Sequence, residues 1–132
     1  MTGKLDSLSR VPLFQGLAAE ELESVAACTR ELRVDAGSEV IREGDPGTEF
    51  FVITAGALEI RVNGRAVNIL RAGGFFGELA LLFGAPRNAS AVALEPTSLL
   101  VMDNDDFTAL LAEKPAVESK VLAVVAQRMR YR

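Results

Sequence analysis

The chain has 132 residues, of which 49% are apolar and 24% are charged; this is enough for one domain with a buried core, and no apolar run reaches the ~18 residues that a membrane span needs. The sequence contains no histidine and one cysteine, Cys28, which excludes imidazole metal sites, thiolate zinc sites and histidine-dependent nucleophiles and makes an enzyme the weaker class of function. The formal net charge of −4 argues against a broad nucleic-acid surface, and a lone cysteine suits a reducing cytoplasm.

The first predicted element is an amphipathic helix over residues 18–28. Apolar residues recur there at helical spacing, namely Leu22, Val25 and Ala26. Glu20 and Glu21 fall where the N-terminus of a helix favours negative charge. Residues 1–30 are therefore expected to form a helical segment that precedes the rest of the fold.

Residues 31–103 carry turn signals every 7 to 12 residues or so, as an all-β barrel or sandwich requires. The clearest strand is 57–62, in which alternate residues are apolar: Leu58, Ile60 and Val62. The Asn63-Gly64 pair tolerates positive φ and predicts a two-residue hairpin turn. The return strand, 65–70, is predicted to place Val67 and Ile69 on the inner face.

Two continuous apolar runs, 50–53 and 99–102, predict strands that are covered on both faces. Residues 104–111 then predict a helix that buries Phe107, Leu110 and Leu111 and is capped by a group of acidic residues, Asp103, Asp105 and Asp106. Pro115 suits the first position of a last helix. One apolar stripe marks that helix: Val117, Val121, Val124, Val125 and Met129.

These elements predict one domain over 1–132, mainly β with flanking helices. Its centre is an antiparallel β-roll of the jelly-roll or double-stranded β-helix type. An N-terminal helix precedes the roll, a short helix interrupts it, and two helices follow over 104–132.

The segment 75–89 breaks the strand rhythm. Glycines precede a short helical stretch, 78–83, whose free N–H groups could hold an anion. Arg87 follows beyond the loop, and its planar fork of donors suits two phosphate oxygens. Glu78 could accept hydrogen bonds from sugar hydroxyls, and the small Ala89 and Ala91 leave room for a ligand. The residues alone thus predict an anion cradle with a neighbouring carboxylate.

The motif Phe-Gly-Glu-Leu-Ala-Leu at 76–81, followed by Pro-Arg-Asn-Ala at 86–89, resembles the phosphate-binding cassette of cyclic nucleotide-binding domains. That family includes protein kinase A regulatory subunits, cyclic nucleotide-gated channels and the bacterial catabolite activator protein. The likeness extends to Gly44-Asp45, to the Gly56 turn and to the helices at both ends. Asn88 is the one departure from the cassette pattern.

The resemblance implies that Arg87 pairs with the cyclic phosphate and that Glu78 holds the ribose 2′-hydroxyl. The phosphate is also expected to meet main-chain N–H groups, those of Leu79, Ala80 and Asn88 or Ala89. The Gly77 backbone would lie beside the sugar.

The resemblance also implies an apolar wall around sugar and base, formed by Ile60, Val67 and Leu70. These three residues would suit a core equally well without a ligand. Arg128 falls where channel members carry an arginine that reaches over the purine, although with Arg130 and Arg132 it also makes an ordinary basic helix end. Asn88 replaces the Thr or Ser that many cyclic GMP sites carry, which favours cyclic AMP.

The leading hypothesis is a stand-alone, non-catalytic sensor that binds cyclic AMP, or cyclic GMP, and needs no other cofactor. Rearranged C-terminal helices would signal to a protein effector or within a homodimer, with no role for nucleic acid or membrane. The alternative is an interaction module that keeps the fold without a nucleotide, favoured if Phe75 or Phe83 fills the pocket. Two further alternatives are a fragment of a transcription regulator and a cupin-like metalloenzyme. The absence of histidine argues against the metalloenzyme.

Overall fold

Two antiparallel four-stranded sheets form the body of the protein. A computed structural model describes residues 3–129. The strands are β1 (Thr29–Val34), β2 (Glu39–Ile41), β3 (Glu49–Ala55), β4 (Ala57–Val62), β5 (Arg65–Arg71), β6 (Phe75–Phe76), β7 (Ser90–Ala93) and β8 (Thr97–Asp103). The first sheet has the order β1-β8-β3-β6 and the second the order β2-β7-β4-β5. The predicted antiparallel β-roll is confirmed.

Helices cover one side of the roll. They are α1 (Gly3–Ser9), a 3₁₀ helix (Pro12–Phe14), α2 (Ala19–Ala27), α3 (Glu78–Phe83), α4 (Asn104–Glu113) and α5 (Pro115–Arg128). Across 3–129 none of them is both long enough and apolar enough to cross a bilayer. The predicted short helix between the strands and the two C-terminal helices are confirmed.

The central strands of the first sheet, β3 and β8, are buried on both faces, as their continuous apolar runs predicted. On β3, Phe50 and Val52 pack against the helices, whereas Phe51 and Ile53 point into the roll towards the second sheet. Phe50 stacks on Phe107 of α4 with ring centroids 4.5 Å apart. A strand buried on both faces gains free energy from every residue, which makes β3 and β8 the centre of the fold.

The β4–β5 hairpin carries a bulge that the sequence did not reveal. Asn63 and Gly64 have the predicted positive φ values, 54° and 76°. The pairing of Ile60 with Asn68 and of Arg61 with Ala66 leaves Val67 as an extra residue. An extra residue reverses the alternation beyond it, so Leu70 faces inward and Ile69 is 45% exposed. The inward placement of Ile69 was therefore wrong.

The N-terminal segment contains more structure than the single predicted helix. Helix α2 is confirmed, with Val25 buried, but α1 and the 3₁₀ helix were not predicted. Leu8 and Phe14 from these two elements are 0% and 1% exposed and belong to the core beneath the helices. Lys120 of α5 donates to the carbonyl oxygen of Pro12 at 2.9 Å. The N-terminal segment is thus a packing partner of α5.

The C-terminal helices follow the predicted pattern with two differences. Asp103 occupies the N-cap position of α4, but its side chain makes no capping hydrogen bond, so the capping role was wrong for this residue. Val117, Val121 and Val125 are buried, whereas Met129 is 48% exposed because it lies beyond the last turn that packs on the core. The predicted basic helix end at Arg130 and Arg132 lies outside the described residues. Residues 1–2 of the predicted domain lie outside them as well.

Replacing Phe107 by alanine should destabilise the protein by about 3–5 kcal/mol, because a buried ring that stacks on Phe50 is lost. Urea unfolding measures this change. The matched control is Phe83→Ala, which removes a ring that is 57% exposed and should cost about 1 kcal/mol or less. Equal losses for the two variants would contradict the packing described here.

Candidate functional site

One cavity lies between the second sheet, α3 and the end of α5. It encloses about 760 Å³ of space free of protein atoms, its open mouth included. Every residue to which the resemblance gave a ligand contact lines it: Ile60, Val67, Leu70, Gly77, Glu78, Leu79, Ala80, Arg87, Asn88, Ala89 and Arg128. The structure therefore brings the predicted residues together, and their contacts with a ligand stay a prediction.

Arg87 is the most unusual of these residues, because its charged side chain is buried and the residue is only 6% exposed. Its Nη1 donates to the carbonyl oxygen of Gly77 at 3.0 Å and its Nη2 to that of Glu49 at 2.9 Å. The guanidinium lies 5.7 Å from the centre of the Phe51 ring. Since an arginine has five N–H donors, these two bonds fix the fork and leave donors for a further acceptor.

Among the residues that the structure describes, Arg87 has no carboxylate partner of its own. Across residues 3–129 no acidic side chain lies within ion-pair distance of the guanidinium. Burial lowers the pKa of Arg87, while the more distant carboxylates of Glu49 and Glu78 act in the opposite direction; the group stays charged at any physiological pH. A buried cation without an adjacent anion is costly, so the site favours an anion that enters the cavity.

Two glycines allow the backbone to approach the guanidinium. A Cβ atom at Gly77, whose φ is +92°, would lie 2.9 Å from Arg87 Nη1. At Gly47 a Cβ atom would lie 2.5 Å from the Cβ of Ala80 and 2.9 Å from Arg87 Cζ. The sequence analysis did not assign Gly47 to the site, because its neighbours in space, Ala80 and Arg87, are distant in the chain.

Glu78 begins α3 and is 1% exposed. Its Oε1 accepts a hydrogen bond from Arg128 Nη1 at 2.6 Å, so the two side chains form an ion pair. Nη2 of Arg128 donates to the carbonyl oxygen of Phe75, and the guanidinium lies 5.1 Å from the centre of that ring. The resemblance implied a base contact for Arg128, whereas its contacts here are with Glu78 and Phe75.

The second sheet supplies the apolar wall. Residues that the sequence analysis did not assign to the site also line the cavity: Ile41, Val62, Asn68 and Phe76. The alternation of β4 already placed Val62 on the same face as Ile60, which was a usable signal. Ala91, in contrast, is 0% exposed, pairs with Ile41 and Ile60 from the neighbouring strands and does not line the cavity, so the prediction that it leaves room there for a ligand was wrong.

The first turn of α3 borders the cavity. The side chains of Leu79 and Ala80 are buried, while their main-chain N–H groups belong to the first turn of α3, where intrahelical acceptors are lacking.

Neither Phe75 nor Phe83 fills the cavity: Phe75 packs on Phe50 with ring centroids 5.6 Å apart, and Phe83 is 57% exposed. The cavity is open to a ligand.

Comparison with known proteins agrees with this geometry. A family model described as the cyclic nucleotide-binding domain matches residues 31–114. A putative potassium channel protein of Rhodopseudomonas palustris is 34% identical over 125 residues, which are 92% of this chain and 30% of the channel protein. A cAMP-dependent protein kinase regulatory subunit of Yarrowia lipolytica is 37% identical over 107 residues, 81% of this chain and 28% of the subunit.

A solved structure described as cAMP-bound PfPKA-R (141-441) superposes with a TM-score of 0.88 at 28% identity. The match covers 96% of this chain and 44% of that one. The chain thus spans less than half the length of each of these relatives, and the solved structure shares with it the β-roll and its flanking helices.

Replacing Gly47 by alanine should lower the free energy of unfolding by about 1–3 kcal/mol, because the new methyl group overlaps Ala80 and Arg87. Chemical denaturation without ligand measures this. In the control Gly3→Ala, the added methyl meets nothing within 4 Å, and the change should stay within about 1 kcal/mol because alanine suits a helix better than glycine. Wild-type stability of Gly47→Ala would rule out the close approach.

Proposed function

The chain belongs to the cyclic nucleotide-binding domain family, and on this premise we propose that it binds cyclic AMP in the cavity between the second sheet and α3. The single observation that carries the proposal is the buried guanidinium of Arg87, which lines the cavity and has no carboxylate within ion-pair distance among residues 3–129. A cyclic phosphodiester is a singly charged anion with two free oxygens, which suits a planar fork of donors.

The rest of the nucleotide fits the order of residues along the cavity. The Glu78 side chain accepts a hydrogen bond from the ribose 2′-hydroxyl, and the Gly77 backbone lies beside the sugar. Ile60, Val67 and Leu70 provide the apolar surface against which sugar and base pack. Each of these residues lines the same cavity as Arg87, which supports one continuous ligand.

Cyclic AMP is proposed over cyclic GMP because the chain lacks the hydroxyl that many cyclic GMP sites carry directly after the phosphate arginine. Asn88 occupies that position and lines the cavity. Two relatives named above are described as cAMP-dependent or cAMP-bound. The nucleotide is the only small molecule that the proposal requires, and it is bound and released without chemistry.

The proposed output is a change in the packing of α4 and α5. Helix α5 contacts the cavity wall through Arg128, which pairs with Glu78. The same helix contacts the N-terminal segment through Lys120, so it links the proposed ligand site to the helices on the outside of the roll. A ligand that favours one arrangement of these helices shifts their populations. The receiver is proposed to be a protein effector or a second copy of the chain.

Replacing Arg87 by alanine should weaken cyclic AMP binding by about 10- to 100-fold or more, because charge-assisted hydrogen bonds to the phosphate are lost. Isothermal titration calorimetry measures the dissociation constant. Arg33→Ala, an exposed arginine on β1, should bind as the wild type does. Unchanged affinity in a folded Arg87→Ala protein would remove Arg87 from the site.

A thermal-shift panel of cyclic AMP, cyclic GMP and linear 5′-AMP tests the ligand class. At a hundredfold excess over its dissociation constant, a ligand stabilises the protein by about 2.7 kcal/mol, which is a rise of about 10 °C for a domain of this size. Cyclic AMP should give the largest rise and 5′-AMP little or none. Absence of a rise with both cyclic nucleotides would favour the interaction module instead.

A further inference from the structure

The loop between β2 and β3, residues 42–48, holds the main chain of Arg87. The N–H of Gly44 donates to the carbonyl oxygen of Arg87 at 2.8 Å, and the N–H of Arg87 donates to the carbonyl oxygen of Asp45 at 2.8 Å. Gly47 of the same loop approaches the guanidinium, since a Cβ atom there would lie 2.9 Å from Arg87 Cζ. The anion end of the cavity is thus attached to this loop.

The same loop also holds the tip of the β4–β5 hairpin. The main-chain N–H of Asn63, the first residue of the turn, donates to Glu43 Oε1 at 2.9 Å. The main-chain N–H of Glu43 donates in turn to Ser90 Oγ at 2.9 Å, which ties the loop to β7. A hydrogen bond to a carboxylate is stronger than one between neutral groups. Glu43 therefore joins two turns that are 20 positions apart in the chain.

The tip of the hairpin extends beyond its neighbouring strand. β4 pairs with β7 only as far as Arg61, which lies opposite Ser90, and β5 is the outermost strand of the second sheet. Val62 follows this last pair, Val67 is the bulged residue beside it, and both line the cavity. Because a two-stranded ribbon has little stability of its own, the contact with Glu43 bears on where this part of the apolar wall lies.

We propose that Glu43 is a positioning residue which sets the spacing between the Arg87 guanidinium and the apolar wall at Val62 and Val67, and thereby the fit of the base. The inference rests on the proposed function and deepens it. Glu43 is not among the residues that line the cavity, so it acts through the hairpin. A wall that is already held in its binding arrangement costs less to order when the ligand enters.

The test compares cyclic AMP with a base-free ligand, methyl riboside 3′,5′-cyclic phosphate, by titration calorimetry on the wild type and on Glu43→Ala. The variant should bind cyclic AMP about 5- to 10-fold more weakly, as expected for one lost hydrogen bond, while its affinity for the base-free ligand should change by less than about twofold. The reason is that the phosphate and the sugar meet Arg87 and Glu78, which are not on the hairpin.

Two further variants separate the hydrogen bond from other effects of substitution. Glu43→Gln keeps a side-chain oxygen that can accept the bond and should recover most of the affinity for cyclic AMP. Asn63→Gly keeps the N–H donor and suits the positive φ, so it should bind both ligands as the wild type does. Equal weakening of both ligands by Glu43→Ala would show a merely structural role and overturn the inference, as would an unchanged affinity for cyclic AMP.

Amide hydrogen exchange tests the same inference on the wild type, in case Glu43→Ala fails to fold. Coupling between two sites is reciprocal, so cyclic AMP should slow exchange at the Asn63 amide more than the base-free ligand does. Equal protection by the two ligands, or none by cyclic AMP, would overturn the role of Glu43. Failure of the wild type to bind either ligand would instead overturn the proposed function itself.

Discussion

A guanidinium held inside the protein, with no adjacent anion in the described part of the chain, is the constraint on which the site depends. Two main-chain carbonyl oxygens fix Arg87, and glycine at positions 47 and 77 leaves room for the backbone to come this close. Carbonyl dipoles offset only part of the cost of burying a cation. The remaining field is directed into a cavity with apolar walls, where an anion is held more strongly than in water.

The two cavity arginines differ in what they contact, and this difference sets the electrostatic pattern. Arg128 neutralises Glu78, so this end of the cavity combines a satisfied ion pair with spare acceptor capacity. Arg87 remains as the cation that meets an incoming anion. Had the pairing been between Arg87 and Glu78, the cavity would lack a free cation and a phosphodiester would have to break an ion pair to enter.

The first sheet positions this pattern because β6 is pinned from both sides. Phe76 stacks on Phe51 inside the roll with ring centroids 4.7 Å apart, and Phe75 packs on Phe50 beneath the helices. The chain therefore enters Gly77 and α3 from a fixed direction. Since the Phe75 carbonyl oxygen and ring also receive Arg128, the same anchor serves the cassette and the end of α5.

The sequence by itself determined the features that depend on neighbouring residues: the β4–β5 hairpin, α3 between its glycines, and the residue types of the cassette. Turn geometry and alternation are local properties, so they can be read without the rest of the chain. The tertiary structure decided the bulge at Val67, the packing role of α1 and the partner of Arg128. Each of these follows from contacts between distant segments, and a side chain with several possible partners takes the one that the packed fold places within reach.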